Sequence, residues 1–451
     1  MFFKNNKITA SVYGLGKVGL PLVAAWLRAG AKVIGVDIHP DLVEKLNRGV
    51  VSYPEEREVE DTIIKAVEAG NFTATTDGVQ ASRDSDVKII IVPTKVDMET
   101  KQVDLTALQD AAKKISLGLK RGDMVIVEST VPPLTTEKIV KPILEKGSGL
   151  KAEKDFGLAY SPERVMVGHA LKDIEENYPK VVGGVGERST LVACKLYENI
   201  AKKGVIAVSN STVAETAKVF EGIYRDVNIA LANELSRLCS ALGIDFMEVR
   251  KAANSQPYCH LHLPGIGVGG LCIPVYPYFA LKVASEKGVE LSLTRTGRLI
   301  NEKAPVTAVE TALNALKEVS PSLEPKKCAI LGLAFRGNVA DTRLSPTYDI
   351  IDELKMHGFE VKVHDPLIRE DPVLESKNTP LLNDLRAVVR DVSLIILSTD
   401  HLTYKKHGLK TIVSDAPRPV VFLDGRNLFV EEDVPPGVYY ISISGRRVKN
   451  V

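Results

Sequence analysis

The sequence is more telling at first for what it has little of. Its 58 Lys+Arg against 57 Asp+Glu leave a formal charge of +1, so no net field draws the chain onto nucleic acid or an anionic membrane. No apolar run approaches the roughly 18 residues needed to cross a bilayer. Met1-Phe2-Phe3-Lys4-Asn5-Asn6 lacks the charged, apolar and small-residue succession of a signal peptide. Five cysteines in 451 residues, odd in number and scattered, make no disulfide framework. A cytoplasmic protein without nucleic-acid or membrane partners is the expectation. What remains, 45% hydrophobic and 25% charged residues, is the composition of globular domains with full cores. At roughly 150 residues per domain, the chain makes about three, or two with a large connector.

Strands are expected at Ile8–Tyr13, Lys32–Val36, Val87–Val92, Met124–Glu128, Phe156–Tyr160 and Val205–Val208. They are rich in Val and Ile, and the longer ones are nearly continuous rather than alternating, as in a parallel sheet covered by helices on both faces. Right-handed crossovers then give a doubly wound α/β domain over 1–208. From Asn210 to about Leu242 the pattern becomes one long helix, with Asn210, Ser211 or Thr212 as the cap. Some 30 residues at 1.5 Å each reach about 45 Å, a length suited to spanning domains or forming a dimer seam. This helix and the Gly/Pro-rich loop and helices after it make a central domain over 209–319. Ser320–Pro325 reads as a linker. Strands recur at Lys327–Leu331, Glu360–His364, Val392–Ser398, Val420–Leu423 and Val438–Ile443, giving a second α/β domain over 320–451. The fold class is therefore α/β, with two Rossmann-like doubly wound domains joined by a long helix and a helical dimerisation region.

Gly14-Leu15-Gly16-Lys17-Val18-Gly19 follows a strand and opens a helix. Gly14 permits the tight turn, Gly16 lets backbone approach a pyrophosphate, and Gly19 allows close helix–strand packing. The helix N-terminus, with Lys17 and Val18, offers free N–H groups to the phosphates. Asp37 ends the next strand, where its carboxylate would accept the ribose hydroxyls; no arginine follows to welcome a 2′-phosphate, so NAD is favoured over NADP. Thr94 and Thr130 sit at two further strand ends, which in an open α/β sheet point into the ligand crevice.

Cys272 lies in Gly265-Ile266-Gly267-Val268-Gly269-Gly270-Leu271-Cys272-Ile273-Pro274. So many glycines bring bare backbone close to something, and their N–H groups suit an oxyanion. A thiolate there can attack an aldehyde and, after loss of hydride, hold a thioester. Cys194, Cys239, Cys259 and Cys328 read as packing residues. Lys218 on the long helix could stabilise an alkoxide or relay its proton, with Arg225 two turns further along the same face. Cys259-His260-Leu261-His262 lacks a third and fourth ligand, so no metal is expected.

With those residues in view the chain resembles the UDP-glucose/GDP-mannose dehydrogenase family, which oxidises a nucleotide-sugar C6 alcohol to a carboxylate with NAD. The resemblance runs through Gly14–Gly19, Glu128–Pro133, Tyr160-Ser161-Pro162-Glu163-Arg164-Val165, Gly267–Cys272, Gly332-Leu333-Ala334-Phe335-Arg336 and Asp341-Thr342-Arg343-Leu344-Ser345-Pro346. The texts Arg225–Leu235 and Pro264–Gly270 look most like the branch acting on UDP-N-acetylmannosamine. The resemblance implies Cys272 as nucleophile, Lys218 as acid/base and oxyanion partner, and Glu163 as acid/base for thioester hydrolysis. It implies Arg164, Val165, Arg225 and Gly269 around the sugar, and Phe335, Arg336 and Arg426 around the UDP portion. Arg343 would approach the cofactor. A UDP-sugar substrate and a homodimer, or a higher homo-oligomer, follow from it.

Four positions depart from that family's pattern. Gly222 stands where the family has Asn, and Tyr276 where it has Asp, four residues after Cys272. Leu271 replaces a His common in the most similar branch, and Tyr258 an Arg. The losses of a helix hydrogen bond and of a carboxylate near the nucleophile leave open a changed substrate, UDP-N-acetylglucosamine or UDP-glucose among them, and a slowed hydrolysis. A non-catalytic nucleotide-sugar-binding paralogue is the rival reading.

Overall fold

The computed structural model describes residues 8–53, 56–166, 168–322 and 326–451. The N-terminal hexapeptide and Leu323-Glu324-Pro325 of the expected linker lie outside the described residues. The backbone divides into two compact units, residues 1–221 with 278–289, and residues 222–277 with 290–451.

The first unit is built on a sheet of β1 (Thr9–Tyr13), β2 (Lys32–Val36), β3 (Phe72–Thr75), β4 (Val87–Ile90), β5 (Met124–Val127), β6 (Gly157–Tyr160), β7 (Lys180–Gly184) and β8 (Val205–Ala207). Their spatial order is β8-β7-β6-β5-β4-β1-β2-β3. The inner strands β4 and β5 are buried at every position, which is why β5 is apolar throughout and why Lys88, the one charged residue of β4, is paired with Asp123. Two strands escape the sequence pattern: β3, a short polar edge reading Phe-Thr-Ala-Thr, and β7, which opens on a lysine. The all-parallel expectation also needs correcting, because β7 runs antiparallel to β6. The described residues of 161–179 between them hold only short helical turns, packed on the helix α1 (Gly19–Arg28). Without a crossover helix laid along the sheet, the chain returns in the opposite sense.

The long helix α2 runs Ser211–Leu242. Of the three candidate caps the structure selects Asn210, whose side-chain oxygen accepts the Val213 N–H at 3.0 Å. Gly243, at φ +71°, closes the helix in the left-handed conformation that a side chain resists.

The second unit contains β9 (Lys327–Leu331), β10 (Glu360–His364), β11 (Leu381–Leu382), β12 (Leu394–Leu397), β13 (Val420–Asp424), β14 (Val438–Ser442) and β15 (Arg447–Asn450). Their order is β11-β10-β9-β12-β13-β14-β15, with only β15 antiparallel to its neighbour. Read from β3 and from β11, both sheets carry the strand order 3-2-1-4-5-6 of doubly wound dinucleotide folds. The copy extends to detail. Gly14 (φ +106°) donates to Val36 O at 2.8 Å, and Leu15 N–H to Asp37 at 2.9 Å. Gly332 (φ +103°) donates to His364 O at 2.7 Å, and Leu333 N–H to Asp365 at 2.8 Å.

Candidate functional site

The turn after β1 is tight for reasons the glycines meet one by one. A Cβ on Gly14 would stand 2.6 Å from Ile91 O, and one on Gly19 would stand 1.9 Å from Gly14 O. Around Gly16, by contrast, the space is open. There a pyrophosphate can approach bare backbone. Val18 precedes α1 without a side-chain cap, and no acidic residue occupies the first turn. The helix therefore presents uncapped N–H groups and its positive end to an anion. Lys17 is tied down through its carbonyl by the Tyr53 hydroxyl at 2.7 Å. Asp37 holds Leu15 N–H with one oxygen and His39 N–H, at 3.1 Å, with the other. Ile38 beside it is exposed. At the ends of β4 and β5, Thr94 donates to the Thr130 carbonyl at 2.5 Å. These groups fit a dinucleotide whose ribose meets a carboxylate.

Elsewhere in the same unit the structure reveals a buried ionic cluster. Lys180, at the start of β7, donates to Glu128 and to Glu163 at 2.7 Å each, and all three side chains are buried. The Tyr197 hydroxyl donates to the other Glu128 oxygen, and Arg164 N–H donates to the other Glu163 oxygen at 2.8 Å. Burial pushes the Glu128 carboxyl upward against the pull of Lys180. Burial works against the Lys180 charge, but Glu128 and Glu163 together raise its pKa. Sequence reasoning placed Glu163 in the site but missed Lys180 and Tyr197. The only signal was a lysine opening an otherwise Val/Gly strand.

Arg164 is turned toward its own unit: it pairs with Glu221 at 3.1 Å, donates to Pro179 O and lies over the Tyr178 ring. Val165 and Lys218 are half-buried. Glu215, one turn before Lys218, is fully buried and accepts the N–H groups of Leu134 and Thr136 at 2.7 Å.

In the second unit the Cys272 loop is fastened to the C-terminal sheet. A Cβ on Gly269 would meet Phe335 Cβ at 2.6 Å and Leu344 O at 2.6 Å, and one on Gly270 (φ +84°) would meet the Phe335 ring at 2.8 Å. What the loop's glycines lie close to is therefore, in part, this chain itself. Gly270 N–H donates to Arg343 O at 2.9 Å, so that donor is committed to the fold and not to an oxyanion. Cys272 remains exposed. Arg343 is held by Asp341 through two nitrogens, which raises its pKa, with Cys272 contributing further. Arg426 pairs with Asp400 at 3.1 Å and passes 3.5 Å from the Cβ position of Gly265. Phe335, Arg343, Arg426 and Cys272 are thus brought together within one unit. Arg336 is half-buried there, while Arg225 stands exposed on α2. Of the departures, Tyr258 is 90% exposed, which leaves it no packing role within the chain. Among the described residues no group of three His, Cys, Asp or Glu side chains could hold a metal ion, and no helix is long and apolar enough to cross a membrane.

A dehydrogenase with a dinucleotide fold at one end and a second nucleotide-type fold carrying the cysteine loop is the class that this architecture defines. Three family models match along the chain. They are the UDP-glucose/GDP-mannose dehydrogenase NAD binding domain at residues 8–201, its central domain at 212–303 and its UDP binding domain at 329–431. The chain belongs to the UDP-glucose/GDP-mannose dehydrogenase family and is an NAD-dependent UDP-sugar dehydrogenase. It is 35% identical over 424 residues to the UDP-N-acetyl-D-mannosamine dehydrogenase of Pyrococcus horikoshii, covering 94% of this chain and 96% of that one. The solved structure of UDP-D-ManNAc dehydrogenase from P. horikoshii superposes with a TM-score of 0.87 at 34% identity, covering 97% and 99% of the two chains. That of NDP-N-acetyl-D-galactosaminuronic acid dehydrogenase from Methanosarcina mazei Go1 gives 0.84 at 31%, covering 98% and 96%.

Proposed function

We propose that the protein oxidises the C6 alcohol of UDP-N-acetyl-D-mannosamine to the carboxylate, giving UDP-N-acetyl-D-mannosaminuronate through a covalent intermediate on Cys272. The observation that carries the chemistry is the exposed thiol of Cys272 on a loop clamped to Phe335 and Arg343. The sugar rests on the relatives of that name and on the wording of α2 and the glycine loop.

NAD, held by Gly14–Gly19, Asp37, Thr94 and Thr130, would supply the hydride acceptor for both oxidations, and Arg343 is assigned to the same cofactor. Lys218 takes the proton of the C6 alcohol and balances the oxyanion that forms. Cys272 adds to the resulting aldehyde, and the thiohemiacetal, once oxidised, is a thioester. Glu163 draws the proton from the water that hydrolyses it; Lys180 and the Arg164 N–H hold the carboxylate but leave each oxygen a second lone pair. Arg164, Val165, Arg225 and Gly269 line the sugar, and Phe335, Arg336 and Arg426 hold the uridine diphosphate. The functional division falls at 1–208, 209–319 and 320–451.

A homodimer is part of the same reading. Phe220, Tyr224, Leu231, Leu238 and Leu242 are all exposed on α2, and at 100° per residue they lie within about 40° of one line. A second copy of the helix is the occupant such a stripe suits.

The test is NADH formation with NAD and, separately, UDP-N-acetylmannosamine, UDP-N-acetylglucosamine and UDP-glucose, with Cys272→Ala as control. About two NADH per molecule of the first sugar alone, lost in the control, is the expected result. Preference for another sugar would replace the substrate assignment, and no NADH from any of them despite NAD binding would favour the non-catalytic paralogue.

A further inference from the structure

Gly222 lies inside α2, where its backbone is helical and makes no demand for a glycine. A glycine there weakens the helix, so the reason for it must be space. A Cβ at 222 would stand 2.3 Å from Cδ2 of Tyr276, 3.0 Å from its Cβ and 3.1 Å from its Cγ. The Tyr276 ring is therefore seated directly on bare helix backbone, and both residues are buried. Tyr276 is also bound to the nucleophile's own peptide. The N–H groups of Val275 and Tyr276 both donate to the Cys272 carbonyl at 3.1 Å, closing the turn from Cys272 into the helix α3 (Tyr276–Glu286).

We propose that Gly222 and Tyr276 are one matched pair, in which the gap at 222 seats the Tyr276 ring and so fixes the turn that carries Cys272. Tyr276 is then a positioning residue for the nucleophile, and Gly222 exists to admit it. Each residue alone reads as a loss, of a helix side chain in one case and of a carboxylate in the other. Together they are a single accommodation, since the larger side chain occupies the volume the smaller one vacates. An alanine at 222 cannot be absorbed by rotating a flexible chain end, because two of the three nearest atoms are the Cβ and Cγ of the ring's root. The strain would pass to the 272–276 turn.

The proposal takes Cys272 as the nucleophile, but its decisive readouts need no substrate. The full chain is compared with Gly222→Ala, Tyr276→Ala, Tyr276→Phe and the double variant Gly222→Ala/Tyr276→Ala. Thermal unfolding and the pH dependence of Cys272 alkylation by iodoacetamide, followed by peptide mass spectrometry, are measured for each. Gly222→Ala is expected to lower Tm by several degrees and to change the alkylation rate of Cys272. Its kcat should fall by about tenfold or more while KM changes less, the mark of a displaced nucleophile. Adding Tyr276→Ala should recover much of the Tm lost in Gly222→Ala, and Tyr276→Phe, which keeps the ring, should change Tm and alkylation less than Tyr276→Ala. Additive effects in the double variant, or a Cys272 alkylation profile untouched by Gly222→Ala and Tyr276→Ala in folded protein, would overturn the pair. A parent inactive on every UDP-sugar would sink the functional reading yet leave the Tm and alkylation comparisons to decide this one.

Discussion

Lys180 donates to Glu163 across 2.7 Å inside a buried cluster that also holds Glu128. Two carboxylates and one ammonium share a buried site, so the lysine is what allows both acids to be buried at all. Removing one partner of such a pair costs about 3–5 kcal/mol, because the remaining charges lose their compensation. Lys180→Met should lower stability by that order in urea unfolding. In whatever folded fraction remains, kcat should fall by about tenfold or more, since Glu163 loses the ammonium that holds its carboxylate in place. An unchanged kcat in the folded variant would separate Glu163 from the chemistry.

The proposed role of Asp37 is to set the cofactor. Its carboxylate stands at the end of β2 bonded to Leu15 N–H at 2.9 Å, where a 2′-phosphate would meet negative charge. The parent should use NADP poorly. Asp37→Ser should raise the NADP/NAD ratio of kcat/KM by about tenfold or more, with most of the change in KM. Equal use of the two cofactors by the parent would remove Asp37 from that role.

Glu215 gives a pH signature. Burial pushes its carboxyl up to about 7, although the Thr136 and Leu134 N–H groups bonded to it pull the other way. A carboxyl whose pKa is higher folded than unfolded binds its proton more tightly in the native state. Its contribution to stability is thus present below about pH 4.5 and is lost as pH rises toward 7. The loss is at most about 3 kcal/mol. Urea midpoints at pH 5 and pH 7.5 should differ more for the parent than for Glu215→Gln. The variant's lower overall stability does not matter to that comparison, and equal slopes would refute it.

The stripe on α2 gives an assembly prediction. Leu231→Arg combined with Leu238→Arg places two charges on the exposed apolar line and should convert a dimer to a folded monomer in sedimentation velocity. A parent that is monomeric at micromolar concentration, or a double variant that still dimerises, would place the interface elsewhere.

Much of this protein is written locally. The runs Met-Val-Ile-Val of β5 and Leu-Ile-Ile-Leu of β12 announce themselves because a strand buried on both faces is apolar along its length. The glycine turn is equally plain, since a positive φ at Gly14 and a contact that excludes any side chain at Gly19 can be met by one residue type. The edge strand β3 and the antiparallel β7 were not legible: an edge is half-solvated and carries no strong pattern, and strand direction depends on where the connection packs.

What the tertiary structure alone decided is partnership. The sequence determined that Glu163, Cys272 and a dinucleotide turn are present, because each sits in a motif of fixed spacing. It held no sign that Lys180 would lie between Glu128 and Glu163, residues 52 and 17 positions away. Nor did it show that the helix gap at Gly222 is filled by Tyr276. Spacing along a chain records the period of one element at a time. The pairing of two elements depends on how their buried faces meet, and only the folded chain fixes that.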